Sequence, residues 1–186
     1  MGTNLAKPGE IPGAKELPPL SKDEFDVCNR LAMRMDRFHD HFRYMWEMLY
    51  LAADTQQRPS NLSLKQFIDT GIRFIDNLEG HHGIEERYIF PILAKKMPEF
   101  RSNTRNQAAA ELLQQHEEIH SGITAMRQYL KACRSGNIEF RFGVLRSKME
   151  PWGKTLLKHL DQEVKTLGAE SMRRYWTLEE MDEFPF

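Results

Sequence analysis

Apolar residues return along this chain at alternating steps of three and four, the period of an α-helix with one buried face. The first seam is Leu31, Met35, Phe38, Phe42, Met45 and Leu49, and Ser21 with Glu24 makes a capping box ahead of it. A helix over about 22–53 follows. The polar stretch Asp54 to Asn61, broken by Pro59, is a loop, and Ser63 with Gln66 opens a second helix. Its apolar positions include Phe67, Ile68, Ile75, Leu78, Ile89 and Leu93. Gly71, Gly80 and Gly83 weaken it, Pro91 predicts a kink, and the helix should end before Pro98. A third helix runs from about Asn106 to Arg134, where Ser135-Gly136 stops it. The fourth covers about Phe140 to Leu167, bent at Pro151 and ended by Gly168.

Residues 1–20 hold Pro8, Pro12, Pro18 and Pro19 with Gly2, Gly9 and Gly13, and read as an extended arm. Residues 169–186 carry Glu179, Glu180, Asp182 and Glu183 between aromatics, a tail with a short helix lying over the rest. Strand-like alternation is absent. The fold class is therefore all-α, an antiparallel up-down-up-down four-helix bundle over residues 21–168.

The length of 186 residues suits one domain, and 40% hydrophobic residues suffice for its core. Twenty-six basic and 27 acidic residues are mixed along the chain, with net charge −1. That balance argues against nucleic acid or an anionic membrane as partner. No apolar run approaches the roughly 20 residues of a bilayer span, and the start lacks a secretory apolar region. After Met1-Gly2, Ala6 stands where a myristoylation signal wants Ser or Thr. Cys28 and Cys133 form no paired motif, so a reduced, cytoplasmic setting fits.

The histidines change the picture. Five of the seven fall between residues 81 and 159. Residues four apart share a helix face, so their side chains can converge on one ion. His81 pairs in this way with Glu85, His116 with His120, and His159 with Glu163, while His82 and Glu86 form a shifted copy of the first pair. One such pair is ordinary on a helix surface; three on successive helices are not. At about 1.5 Å rise per residue the pairs stand within about one turn of the same level. The first helix offers His39 or His41 near mid-height. Met35 and Leu31 lie above His39 on its face, whereas Arg37 and Arg34 lie above His41, which favours His39 and leaves His41 as the alternative. Imidazoles and carboxylates without thiolates favour iron, manganese or zinc. Five histidines and two carboxylates exceed the needs of one ion and suit two, bridged by the carboxylates.

The order His, HxxxE, HxxxH, HxxxE down four helices resembles the hemerythrin-like (HHE cation-binding) domain, as do HHGIEERYIFP at 81–91, QHEEIH at 115–120 and HLDQEV at 159–164. The resemblance covers roughly residues 30–167 and is strongest to the stand-alone members common in fungi. RFHD around His39 and the downstream Tyr50-Leu51-x-Ala53 also resemble relatives with a single histidine at that place. The resemblance implies two iron ions, oxo- or hydroxo-bridged, with dioxygen as ligand or co-substrate. Carried over by motif, His116, His120 and His159 hold one iron, His39 and His81 hold the other, and Glu85 and Glu163 bridge them. His81 is preferred to His82 because Glu85 precedes Pro91 as in the family's EE…FP string. His82 is then an extra ligand, a group behind a ligand, or a surface residue. Oxygen carriers of the family have HxxxxD where this chain has His159-x-x-x-Glu163, so carriage is less secure than metal binding.

The expected function is accordingly a non-haem diiron oxidase or monooxygenase acting on a small organic substrate, with His82 and Glu86 as proton-handling candidates. Reversible binding of dioxygen or nitric oxide, iron storage and sensing are the alternatives.

Overall fold

The computed structural model describes residues 17–101 and 107–185, the stretch 107–110 by its backbone alone. The expected arm lies outside the described residues up to position 16. Among the described residues the chain is helical throughout, with no strand. Its elements are α1 (Lys22–Cys28), α2 (Arg30–Thr55), α3 (Leu64–Ile84), a π turn (Glu85–Ile89), α4 (Phe90–Leu93), a 3₁₀ turn (Pro98–Phe100), α5 (Gln107–Arg134), α6 (Phe142–Thr166), α7 (Ala169–Met172) and α8 (Leu178–Asp182). The long helices pack α2 on α6, α6 on α5, α5 on α3 and α3 on α2. No helix among the described residues is long and apolar enough to cross a membrane.

The capping boxes at Ser21/Glu24 and Ser63/Gln66 are both formed, each side chain accepting from the partner's backbone N–H. The first helix is not continuous, however. It breaks at Asn29, whose side-chain oxygen accepts from the Ala169 N–H at 3.2 Å. That contact ties α1 to α7, so α1 covers the end of the molecule instead of extending α2. The second helix ends at Leu93, and its irregularity comes earlier than Pro91. Proline has no N–H and clashes with the carbonyl four residues back. A π turn absorbs the misfit, with the Phe90 N–H bonded to the Glu85 carbonyl. Pro151 sits inside α6, which runs through it unbroken.

Two apolar clusters fill the interior. One includes Phe42, Trp46, Phe74, Leu78, Ile119, Ile123, Trp152 and Leu156. The other includes Cys28, Leu31, Met35, Ile89, Leu93, Leu112, Leu167, Trp176 and Met181. Phe38, expected on the first seam, lies outside both and is 59% exposed. On every long helix the side chains between the two clusters are histidines and glutamates: His39 on α2, His82 and Glu85 after Leu78, His116 on α5, and His159 and Glu163 on α6. The core thus has a polar layer through its middle.

The tail seals one end. Trp176 and Met181 are buried, while Glu180 pairs with Lys96 at 2.5 Å and Asp182 with Arg30 at 2.8 Å. The acidic cluster of the tail therefore supplies two cross-links to the bundle.

Candidate metal centre

Each ring in the polar layer is oriented by what holds its outer nitrogen. His39 Nδ1 donates to the Leu160 carbonyl at 2.9 Å, which turns Nε2 inward. His116 Nδ1 donates to Glu86 at 2.7 Å, and His159 Nδ1 to the Gln115 amide oxygen at 3.3 Å. Gln115 is fixed in turn by donating to Gln162 at 3.0 Å. With their Nδ1 atoms protonated, His116 and His159 present bare lone pairs at Nε2, and these face each other at 3.2 Å. Two facing lone pairs repel unless a cation lies between them. Ligands about 2.0–2.2 Å from one ion stand about 3–3.5 Å from each other, so the spacing fits a shared ion. His39 Nε2 and His81 Nε2 repeat it, also at 3.2 Å.

Two four-residue groups result, one of His82, Glu85, His116 and His159, the other of His39, His81, Glu85 and Glu163. Glu85 belongs to both, with Oε1 at 2.7 Å from His81 and Oε2 at 3.6 Å from His116. Glu163 Oε2 lies 3.4 Å from His39 and 3.5 Å from His159, so it too reaches both. Neither carboxylate accepts a well-aligned hydrogen bond on either oxygen, though both are fully buried. His82 is as deeply buried, with both ring nitrogens unpartnered. Six polar atoms left bare in an apolar interior are costly, each by about 1–3 kcal/mol. Cations at the two convergence points would satisfy the carboxylate oxygens and one His82 nitrogen, and this nitrogen–oxygen donor set suits iron, manganese or zinc. The residues fit a metal pair.

The electrostatics agree. Burial pushes His81 down to about 4 and His159 to about 3, and it holds His82 and His116 below the ordinary imidazole range. All four are then neutral near pH 7, the form that binds metal. Burial and the neighbouring Glu163 charge push Glu85 well above the usual carboxylate range. At Glu163 burial also acts upward, but the imidazoles of His39 and His159 beside it hold it low. The layer keeps one carboxylate ionised and makes the second costly to ionise, which a cation would reverse.

Of the residues expected as ligands, His39, His81, Glu85, His116, His159 and Glu163 come together. His120 lies outside these two groups and forms a three-residue group with Glu86 and His116; its side chain is 35% exposed, and its Nε2 donates to Glu86 at 3.0 Å. The place expected for His120 beside His116 is taken by His82, whose ring stacks on that of His116 at 4.2 Å. His41, the alternative to His39, is exposed. Glu86 lies at the surface end of this arrangement, sharing one oxygen between His116 and His120. Burial raises its pKa, but these two hydrogen bonds outweigh that and keep the carboxylate ionised. Gln115, beside His116 in QHEEIH, was not singled out by the sequence; amide side chains carry no metal-ligand signature.

The family description "Hemerythrin HHE cation binding domain" matches residues 31–170. A curated relative, "Dimeric xanthone biosynthesis cluster protein R11" of Cryptosporiopsis sp. (strain 8999), is 27% identical over 106 residues. The match takes in 54% of this chain but only 37% of that relative's length. No solved structure matches the chain.

Proposed function

The chain belongs to the hemerythrin HHE cation-binding domain family, and from that premise we propose that it is a non-haem diiron protein that activates dioxygen to oxidise a small organic substrate. The observation that carries this reading is the pair of four-residue groups sharing Glu85, with every Glu85 and Glu163 oxygen free of well-aligned hydrogen bonds. His82, His116 and His159 would hold one iron and His39 and His81 the other, with Glu85 and Glu163 serving both. The up-down-up-down antiparallel arrangement belongs to the same proposal, supported by the ring of pairings among α2, α3, α5 and α6.

Bound iron would supply the redox chemistry that dioxygen reduction requires. The chain supplies dryness, orientation and protons. The two apolar clusters exclude water from the layer on both sides. Leu160, Glu86 and Gln115 fix the tautomers of three rings. Glu86 and His120, both partly exposed, place a carboxylate and an imidazole at the solvent edge of the layer, where they exchange protons with water. An oxidase needs such a proton supply. The relative's name, from a biosynthesis cluster, also favours a synthetic role over carriage.

The test is anaerobic loading with ferrous iron, metal analysis, then exposure to dioxygen with its uptake recorded. Two irons per chain and sustained dioxygen consumption with a reductant are expected. Binding of one dioxygen per two irons, fully released on degassing, would make the protein a carrier.

A further inference from the structure

Between α2 and α3 the surface opens into a cleft of about 860 Å³ whose floor includes His81. Its walls are mainly apolar. Phe38 from α2 and Ile84 from α3 remain 59% and 55% exposed across it, unusual for side chains of that size. The His81 ring lies between Phe38 and Phe42, at centroid distances of 5.5 and 5.1 Å. Gly80 adds room: a Cβ there would meet no atom within 4 Å. Arg34 stands at the rim, exposed, with no hydrogen bond or ion pair to any described residue. His39, His116 and His159 each give Nδ1–H to a protein acceptor, but no described residue accepts from His81 Nδ1.

An apolar slot with aromatic walls, an unpaired cation at its rim and an imidazole in its lining defines its occupant, the lining carboxylate Asp76 being paired with Arg127 at 3.2 Å. A small-molecule site of this volume holds a ligand of two or three rings. We propose that the cleft binds a planar hydroxylated aromatic acid, its rings between Phe38 and Ile84, its carboxylate on Arg34 and its hydroxyl over His81. An aliphatic acid would leave the aromatic walls without face or edge contacts. A neutral arene would leave the guanidinium with water alone. The link to oxidation rests on the diiron reading, because His81 belongs to one of the two groups; binding in the cleft does not.

The probe is 6-hydroxy-2-naphthoate, with 2-naphthol as its uncharged counterpart, titrated calorimetrically into the iron-loaded and the metal-free protein. Binding of the acid in the micromolar to low millimolar range is expected. Gly80→Leu fills the slot and should abolish binding of both compounds, with iron content preserved and the melting temperature no lower than that of the wild type. Arg34→Gln should weaken the acid about tenfold, the worth of one charge-assisted hydrogen bond, and leave 2-naphthol within about twofold. Ile84→Glu, at an exposed position, gives a second test without touching the fold and should repel the acid more than the naphthol. Wild-type protein that ignores the acid at millimolar concentration, or Gly80→Leu protein that binds it normally, overturns the proposal. Iron content measured after loading separates the two readings: two irons without acid binding refutes the cleft alone, and acid binding by protein that takes up no iron on loading refutes the metal pair alone.

Discussion

Replacing His82 by Leu should have opposite effects on the metal-free and the iron-loaded protein. A neutral imidazole carries one donor and one acceptor, and at His82 both are buried without partners. Leaving each unmade costs about 1–3 kcal/mol, whereas an apolar side chain of similar volume has nothing to satisfy. Against this stands the lost stacking on His116, at 4.2 Å and 22°, worth about 1 kcal/mol. The metal-free variant should therefore gain about 1–5 kcal/mol, or roughly 2–20 °C in melting temperature for a chain of this size. In the loaded protein one of two sites loses a nitrogen. A site held at about 100 times its Kd contributes about 2.7 kcal/mol, which the variant forfeits. The melting-temperature rise on adding iron should thus shrink by about half, and bound iron should fall from two to about one per chain. The assay is thermal unfolding of metal-free and anaerobically loaded samples, with metal analysis. His120→Ala is the control and should keep both the iron and the rise. A His82→Leu variant with two irons and an undiminished rise refutes the placement of His82, and loss of iron in His120→Ala would restore His120 as the ligand.

Acid should weaken the metal-free protein between about pH 6.5 and 4. His81 and His159 titrate lower folded than unfolded, so the unfolded chain binds more protons in that window and stability falls as pH falls. His81 alone accounts for about 3 kcal/mol by pH 4, and a melting temperature flat from pH 6.5 to 4.5 would contradict the neutral-imidazole layer. Glu86→Gln should retain both irons yet slow dioxygen consumption about tenfold or more, read with an oxygen electrode; an unchanged rate removes Glu86 from the proton supply. Gly122→Ala should cost about 2–3 kcal/mol, because its Cβ would lie 2.2 Å from the Trp152 ring. That ring is held by Nε1–H donation to the Lys148 carbonyl and edge packing on Trp46 at 4.6 Å, so it has little room to yield. Gly80→Ala, with open space around it, should instead raise stability by about 0.5–1 kcal/mol in the same unfolding assay.

Helix positions were legible because the apolar seams, capping boxes and punctuating glycines and prolines are local signals. The break at Asn29 was not, since an asparagine within helical periodicity does not reveal that its side chain will accept from Ala169, 140 residues away. Pro91 announced an irregularity but not its form, because a π turn depends on how the neighbouring helices pack. At the candidate metal centre, residue types and spacing pointed to metal binding, whereas the rotation of each helix decides which of two neighbouring histidines faces inward. Pairing residues four apart joined His116 to His120. The apolar seam of α5 instead runs Leu112, His116, Ile119, Ile123, Met126 and Leu130, and places His120 on its flank, one residue beyond Ile119. The α3 seam likewise runs Ile75, Leu78, His82, Glu85 and Ile89, with His82 at its centre and His81 beside it. His39 on α2 and His159 and Glu163 on α6 also continue their apolar seams. A histidine that keeps the period of the core is buried with the core, and burial without a partner is affordable only if something else satisfies a ring nitrogen. His82 meets both conditions. His120 meets neither, and its place beside Glu86 at the surface suits proton delivery better than ligation.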